Sequence, residues 1–168
     1  MFKKIHIVGG PGSGKTTLSL TLSKEFGLPV FDLDNFYWKS DDYSFKEKED
    51  LIVRDNNLKK VLSKKKWITE GVYFNWAWHC FEKAEVIIFL EPGFLVSSFR
   101  IIKRFFMCKL GFEKRKKKEL WINLFRLLVW NKIYTFKHIP LLKEKIKSLN
   151  KKVIYVKTSK TDVVSLLK

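Results

Sequence analysis

Gly9-Gly10-Pro11-Gly12-Ser13-Gly14-Lys15-Thr16 is the stretch on which the reading of this chain turns. It satisfies the spacing G-x-x-x-x-G-K-[ST] in full, between a short apolar run (Ile5 to Val8) and a helical pattern. Glycines let the backbone turn tightly and bring its N–H groups up to phosphate oxygens with no side chain in the way. A helix starting near Gly14 aims its positive dipole end at the same oxygens. Lys15 has the reach for β- and γ-phosphates, and Thr16 has a hydroxyl for Mg²⁺. The alternative is a chance glycine-rich turn, against which the flanking strand and helix weigh. The stretch therefore reads as a nucleoside triphosphate site, with Gly9, Gly10, Pro11, Gly12, Ser13, Gly14, Lys15, Thr16 and Thr17 as the binding residues.

Outward from this loop, the chain alternates strand and helix. Phe2 to Val8 reads as a central parallel strand. Leu18, Leu22 and Phe26 give the next helix one apolar stripe, and Gly27 ends it. Leu28 to Leu33 is a second strand, finishing on Asp32 and Asp34 before an aromatic loop, Asn35-Phe36-Tyr37-Trp38-Lys39. Ser44 and Glu47 form an S-x-x-E capping pattern for a helix reaching about Ser63, with Leu51, Leu58 and Leu62 on one face. Trp67-Ile68-Thr69 is a third strand ending at Glu70-Gly71, and a short helix is expected over Asn75 to Phe81.

Glu85 to Leu90 is the clearest strand, broken by Pro92-Gly93, and a helix follows from about Leu95 to Met107. Residues 108–118 form a basic, aperiodic connector with the character of a lid. Glu119 to Phe136 is apolar except for a narrow stripe at Glu119, Asn123 and Arg126, which predicts a helix buried on several sides. A helix over Leu141 to Leu149, a strand over Lys152 to Val156 and a helix over Thr161 to Leu167 complete the pattern. The expected fold is α/β, a five-stranded parallel sheet with helices on both faces, in a single domain over residues 1–168. The acceptor side would lie in about 35–66.

Composition bounds the function. With 168 residues and 46 % hydrophobic content, the chain is long and apolar enough for one globular domain. Cys80 and Cys108 stand far apart with no His or Cys at metal spacing. No apolar run approaches the ~20 residues of a membrane span, and the N-terminus lacks signal-peptide architecture. A cytoplasmic protein with no membrane partner is the expectation, as monomer or homodimer. The formal net charge of +17 suits either a nucleic-acid partner or a plain preference for lysine, since only five basic residues are Arg. Non-specific nucleic-acid binding at low salt follows from such a charge whatever its purpose.

Ligands of open parallel sheets sit beyond the carboxyl ends of the strands. Asp32, Asp34, Glu70 and Glu91 all end strands there. An acid is needed for Mg²⁺ or its waters, and another to take a proton from an acceptor hydroxyl. Asp34 and Glu70 are the candidates for those tasks, while Glu91, beside Pro92, reads as a turn residue. Arg100 and Arg104 share a helix face, either to clamp phosphates or as a solvated basic surface. Arg126, and more weakly Arg54, are further candidates for the same cleft. Phe36, Tyr37 and Trp38 would stack a ring or serve the core.

GGPGSGKT, LDNFYW, TEGVY, EVIIFLEPG and the FR-x-x-KR run together resemble a small P-loop kinase of the adenylate-kinase-like group. Among such proteins, the chain is most similar to bacterial ones labelled "DNA topology modulation protein". The resemblance covers nearly the whole chain and implies strand order 2-3-1-4-5 and phosphoryl transfer from ATP with Mg²⁺ to a small-molecule or nucleotide acceptor. It places Glu70 where the Walker B acid would be, so that Thr16 and Glu70 manage Mg²⁺, partly through water. It places Asp34 at the acceptor, with Lys15, Arg100 and Arg104 on the transferring group. Glu70 stands where Asp is the rule, and lysines replace much of the lid arginine. Lys is a poorer bidentate clamp, which leaves vestigial turnover, or a nucleotide-dependent DNA-binding role, as the alternatives.

Overall fold

Five strands with β-branched and aliphatic cores pair in parallel in the order 2-3-1-4-5, numbered along the chain, the order the resemblance implied. The computed structural model describes residues 2–39, 47–112, 121–158 and 163–167. The strands are β1 (Lys4–Gly9), β2 (Val30–Asp32), β3 (Trp67–Gly71), β4 (Val86–Leu90) and β5 (Lys152–Val156). β1, β3 and β4 are buried over nearly their whole length, as expected of strands covered on both faces.

Side chains alternate across this sheet. On one face Ile5 and Ile7 of β1, Ile68 of β3, and Val86, Ile88 and Leu90 of β4 pack with Leu18 and Leu22 of helix α1 (Lys15–Phe26). Helix α8 (Val163–Leu167) closes the same face through Val163 and Leu167. On the other face Val8, Trp67, Ile87 and Phe89 meet α3 (Leu51–Leu62), α4 (Trp78–Lys83) and α7 (Ile139–Lys147). Within that second layer His6 pairs with Thr69 (Nδ1 to Oγ1 2.9 Å). Complete burial pushes the imidazole down to about 3, so it is neutral at physiological pH and belongs to the core.

Four local expectations are corrected. The helix expected to start from the Ser44–Glu47 capping pattern starts later in the chain. α3 begins at Leu51, and the Asp50 carboxylate caps it by accepting from the N–H groups of Ile52 (2.8 Å) and Val53 (3.2 Å). Ser44 lies outside the described residues, and Glu47 instead pairs with Lys39 at 2.9 Å. Leu51, sitting in the first turn of α3, is 62 % exposed, and Leu58, Val61 and Leu62 supply the buried face.

α4 starts at Trp78, three residues after the expected Asn75. α5 (Phe94–Lys109) outruns its expected end at Met107 and takes in Cys108 and Lys109 of the supposed connector. Of the rest of that connector, Leu110 to Phe112 form a turn, and 113–118 lie outside the described residues.

The largest departure concerns α6 (Trp121–Ile133). It was expected to be buried on several sides, yet Asn131 alone among its residues is buried. The apolar stretch runs on through a π-helical turn at Tyr134–His138 into α7, which carries Pro140 in its first turn, where proline is tolerated. Glu119 lies outside the described residues, and Arg126 is exposed.

The contrast between the two faces of α1 gives a stability test. Leu22→Ala, at a fully buried position, should cost about 2–5 kcal/mol. Leu20→Ala, at a position 53 % exposed, should stay within about 0.5 kcal/mol. Urea denaturation of both variants checks the assignment of the core face; equal losses would contradict it.

Candidate active site

β1 stops at Gly9, and the next five residues wrap back to start α1 at Lys15. The wrap is possible only because side chains are missing. A Cβ at Gly9 would lie 2.5 Å from the Leu90 carbonyl oxygen, and Gly12 adopts φ +68° with the Ser97 carbonyl oxygen 2.6 Å from where its Cβ would be. The loop is thus pressed between the end of β4 and α5. The Arg100 guanidinium, from α5, donates from Nη1 to the Ser13 carbonyl at 3.0 Å. Of the two readings of that arginine, the solvated helix face is excluded: its side chain is anchored on the loop. Arg104, one turn on, is near enough to Lys15 for its charge to oppose that of the ammonium.

Lys15 folds back over the loop, Nζ donating to the Gly10 carbonyl at 3.0 Å. Desolvation pulls its pKa below the ordinary lysine value, while Glu70, Asp34 and Asp32 hold it up. The next residue, Thr16, donates its hydroxyl to Glu70 Oε1 at 2.6 Å. Glu70 can meet it because β3 alternation turns residue 70 towards α1, on the same face as Ile68. Glu70 is 2 % exposed, and burial pushes its carboxyl up against the opposing pull of Lys15 and the Thr16 hydrogen bond. Thr17, beside it, is exposed on α1.

Asp32 is paired in register with Glu70 across β2 and β3, so the two carboxylates share a face at adjacent strand spacing. Its Oδ1 accepts from the Asp34 backbone N–H at 2.9 Å, which fixes the turn into helix α2 (Asp34–Tyr37). Desolvation first, then the charges of Asp34 and Glu70, push Asp32 up to about 7. Asp34 itself accepts at Oδ1 from the Tyr73 hydroxyl at 2.8 Å. The Tyr73 ring lies 4.8 Å from Tyr37 and 5.2 Å from Trp76. The aromatic loop is therefore a short helix whose Tyr37 forms one wall of an aromatic cluster beside Asp34. Arg54 packs its guanidinium 4.6 Å from the Trp76 ring centre and pairs with Asp55 at 2.7 Å.

Lys15, Thr16, Asp34, Glu70 and Arg100 are thus gathered at the carboxyl edge of the sheet. Glu91 is not part of the group; it pairs with Lys143. Sequence reasoning gave no task to three residues that the geometry brings in. Asp32 was legible as the first acid of an acid-x-acid pair at a strand end. Tyr73 had no signal beyond its place two residues after Gly71. Asn131, the second amide of an apolar helix after Asn123, donates to Ser97 Oγ (2.9 Å) and Ser98 Oγ (3.0 Å), tying α6 to α5. A buried amide in such a stretch needs partners, and that was its signal.

Among the described residues no group of three or more His, Cys, Asp or Glu side chains could hold a metal ion by itself. Mg²⁺ is commonly held by one or two carboxylates, phosphate oxygens and waters. The Thr16 hydroxyl against buried Glu70, with Asp32 alongside, fits that donor set, because crowded carboxylates with raised pKa are a site short of positive charge.

No family model matches the chain. It is 34 % identical over 91 residues to the uncharacterized protein YqaC of Bacillus subtilis (strain 168), a match covering 54 % of this chain and 49 % of that one. The chain therefore spans about half the length of this curated relative. Among solved structures it is similar to a shikimate kinase from Acinetobacter baumannii in complex with shikimate (TM-score 0.64, 15 % identity, 99 % of this chain and 92 % of that chain). It is also similar to a gluconokinase from Sinorhizobium meliloti 1021 (TM-score 0.53, 12 % identity, 98 % and 87 %) and a sugar kinase from Janibacter sp. HTCC2649 (TM-score 0.51, 15 % identity, 99 % and 91 %). At these identities the likeness is one of fold, and the fold shared is that of P-loop kinases.

The raised Asp32 gives a pH test. Unfolded, the carboxyl titrates near 3.8, and folded near 7, so between those values the folded chain holds the extra proton. Stability therefore falls as pH rises through that window, and above it the folded state carries a strained charge. Asp32→Asn keeps an acceptor for the Asp34 N–H and removes the charge. Without nucleotide, it should raise Tm at about pH 8 by at least ~2–4 °C, corresponding to ~1 kcal/mol in a chain of this size. The difference should shrink as pH falls and vanish only below about pH 3, where the parent carboxyl is protonated in the folded and the unfolded chain alike. A variant no more stable than the parent at pH 8 would show that Asp32 is not strained.

Proposed function

We propose that this chain is an ATP-dependent kinase that transfers the γ-phosphoryl group to a hydroxyl of a small-molecule, nucleoside or nucleotide acceptor. The observation that carries the reading is the convergence of Lys15, the Thr16–Glu70 pair, Asp34 and Arg100 at one sheet edge. The names of the structural neighbours, which include shikimate, sugar and gluconate kinases, support a hydroxylated acceptor.

In this reading the loop amides and the N-terminus of α1 bind the phosphates, and Lys15 exchanges its bond to the Gly10 carbonyl for a bond to phosphate. Thr16 and Glu70, with Asp32 beside them, hold Mg²⁺ and its waters. The ion supplies neutralisation of the β- and γ-phosphate oxygens. Asp34 accepts the acceptor's hydroxyl proton as the new O–P bond forms and the bond from the γ-phosphorus to the bridging oxygen breaks, releasing ADP. The Tyr73 hydrogen bond to Oδ1 holds the plane of that carboxylate. Arg100, already on the loop, and Arg104 stabilise charge on the transferring group. Tyr37, Tyr73 and Trp76 form the side of the acceptor pocket and suit a ring. Residues 35–66 then serve the acceptor; the expected lid, 108–118, starts within the end of α5, and its residues 113–118 lie outside the described ones.

The similarity to the topology modulation group and the +17 charge support a second reading, a nucleotide-dependent DNA binder. The two readings part on the acceptor: a screen of nucleosides, nucleotides and small alcohols for ADP release should find one substrate class, whereas a DNA binder would show nucleotide-dependent DNA affinity that survives ~150 mM salt.

Lys15→Ala should abolish most ATP binding in a folded protein, measured by calorimetry; unchanged affinity would sink the nucleotide site. Asp34→Asn should retain ATP affinity while turnover on the identified acceptor falls by about 10²–10⁴. Turnover that survives the change would reduce Asp34 to a helix-start residue.

A further inference from the structure

α5 carries two apolar stripes. Ser97, Ile101 and Phe105 face the core. Across the helix from them, Leu95, Phe99, Ile102, Phe106 and Leu110 recur at i, i+4, i+7, i+11 and i+15, all exposed, Phe99 to 66 %. α6 also presents an exposed apolar stripe, with Ile122, Phe125, Val129 and Ile133 at i, i+3, i+7 and i+11. Aromatic contacts link α5 to α6 and to the turn after it: Trp121 of α6 lies 6.0 Å from Phe106, and Phe136 of the π-helical turn lies 5.6 Å from Phe94. So many large apolar side chains open to water on one helix pair mark an interaction surface.

Its charge identifies the partner. From Phe94 to Phe112 and from Trp121 to His138 the sequence contains no Asp or Glu. Lys103, Lys109, Arg126, Lys132 and Lys137 are exposed in those same segments. A partner must therefore be apolar in its interior and anionic at its surface. A second copy would bring basic residues against basic residues, on chains of net charge +17. Nucleic acid is anionic, but its interfaces are predominantly polar, and it takes single apolar side chains between bases rather than covering a continuous face of Leu, Ile and Val. A bilayer with anionic headgroups meets both demands, and exposed Trp121 and Trp130 suit its interfacial layer.

We propose that the α5–α6 face docks on the surface of an anionic lipid bilayer. The sequence reading set membranes aside for want of a span, and no helix among the described residues is long and apolar enough to cross. Lying in the interface requires no span: apolar side chains enter the headgroup boundary while lysines and arginines meet the lipid charge. Arg100, which holds the loop after β1, does not belong to the exposed apolar stripe of α5.

The test is flotation of the full chain with phosphatidylcholine vesicles containing about 30 % phosphatidylglycerol, and with pure phosphatidylcholine vesicles, at ~150 mM salt. Binding should be confined to the anionic vesicles. Phe99→Gln with Phe125→Gln, and separately Lys103→Gln with Lys132→Gln and Lys137→Gln, should each weaken it by at least ~10-fold. Circular dichroism and ATP affinity should not change in either variant. Brominated lipid should quench part of the tryptophan emission in the parent chain, and less of it in Trp121→Phe. Parent protein left at the bottom of the gradient with anionic vesicles would overturn the proposal. So would undiminished binding of the Phe99→Gln, Phe125→Gln variant, which would reduce the effect to a polycation on an anionic surface. A dimer in sedimentation, or single-stranded DNA binding at the same salt, lost in that variant while vesicles are ignored, would assign the face to a second copy or to nucleic acid.

Discussion

The closeness of the loop after β1 to its neighbours constrains everything else. With the Leu90 carbonyl oxygen 2.5 Å from where a Cβ of Gly9 would stand, and that of Ser97 2.6 Å from one at Gly12, neither β4 nor α5 can move towards the loop. The Ser97 whose carbonyl presses on Gly12 is also the residue whose hydroxyl bonds to Asn131, and Arg100, three residues on, bonds to Ser13. A Cβ at Gly10 would come within 3.0 Å of the Tyr134 ring, in the π-helical turn after α6. The phosphate loop is thus the surface against which β4, α5 and the helices after it are packed. A π-turn widens the helix by one residue, and such turns are frequent at functional sites. Here it lets Tyr134 face the loop while Leu142 and Ile146, further along, stay in the core.

A second constraint is electrostatic. Asp32, Asp34 and Glu70 gather around one lysine, an excess of negative charge in a place with little water. Burial and mutual repulsion raise Asp32 and Glu70, while Lys15 and the Thr16 hydroxyl oppose that rise on Glu70. A fold optimised only for stability would not keep such a group, because a crowd of buried carboxylates destabilises the folded state. It becomes reasonable when a cation and a proton-bearing acceptor share the site, since both relieve the same excess of charge. The direction of the pKa shifts and the geometry therefore point the same way, although the shifts alone would not distinguish a site from a structural network.

The sheet and the loop were readable in the sequence because their signals are local. Apolar runs of four to eight residues mark buried strands, and the glycine spacing fixes what comes after the first. Lys15, Asp34 and Glu70 followed from motif and strand end. What was not readable depended on contacts between distant segments. The Ser44 pattern looked like a cap because a capping box is short, and Asp50, the acid that caps α3, carries no stronger mark than several neighbours. Tyr73 meets Asp34 across 39 positions, a contact that no spacing rule reports. For α6 the failure is different in kind. Apolar content was taken to mean burial, yet composition states what a surface prefers and not whether the chain itself provides the cover.

That distinction also explains why α5 can be read in more than one way. A stripe of three residues suffices to seat a helix on the core, and Ser97, Ile101 and Phe105 do so. Arg100 leaves the helix towards the loop, where it donates to the Ser13 carbonyl. Neither task needs Leu95, Phe99, Ile102, Phe106 or Leu110, and a helix devoted to those tasks would carry polar residues there. Large apolar side chains open to water favour aggregation unless something covers them, so a face like this persists only with a partner. Lysine and arginine as the only charges in the same helix pair then narrow the partner to one that is anionic outside and apolar within. α5 thus carries on one side the arginine that holds the loop and on another the apolar face proposed to meet a bilayer.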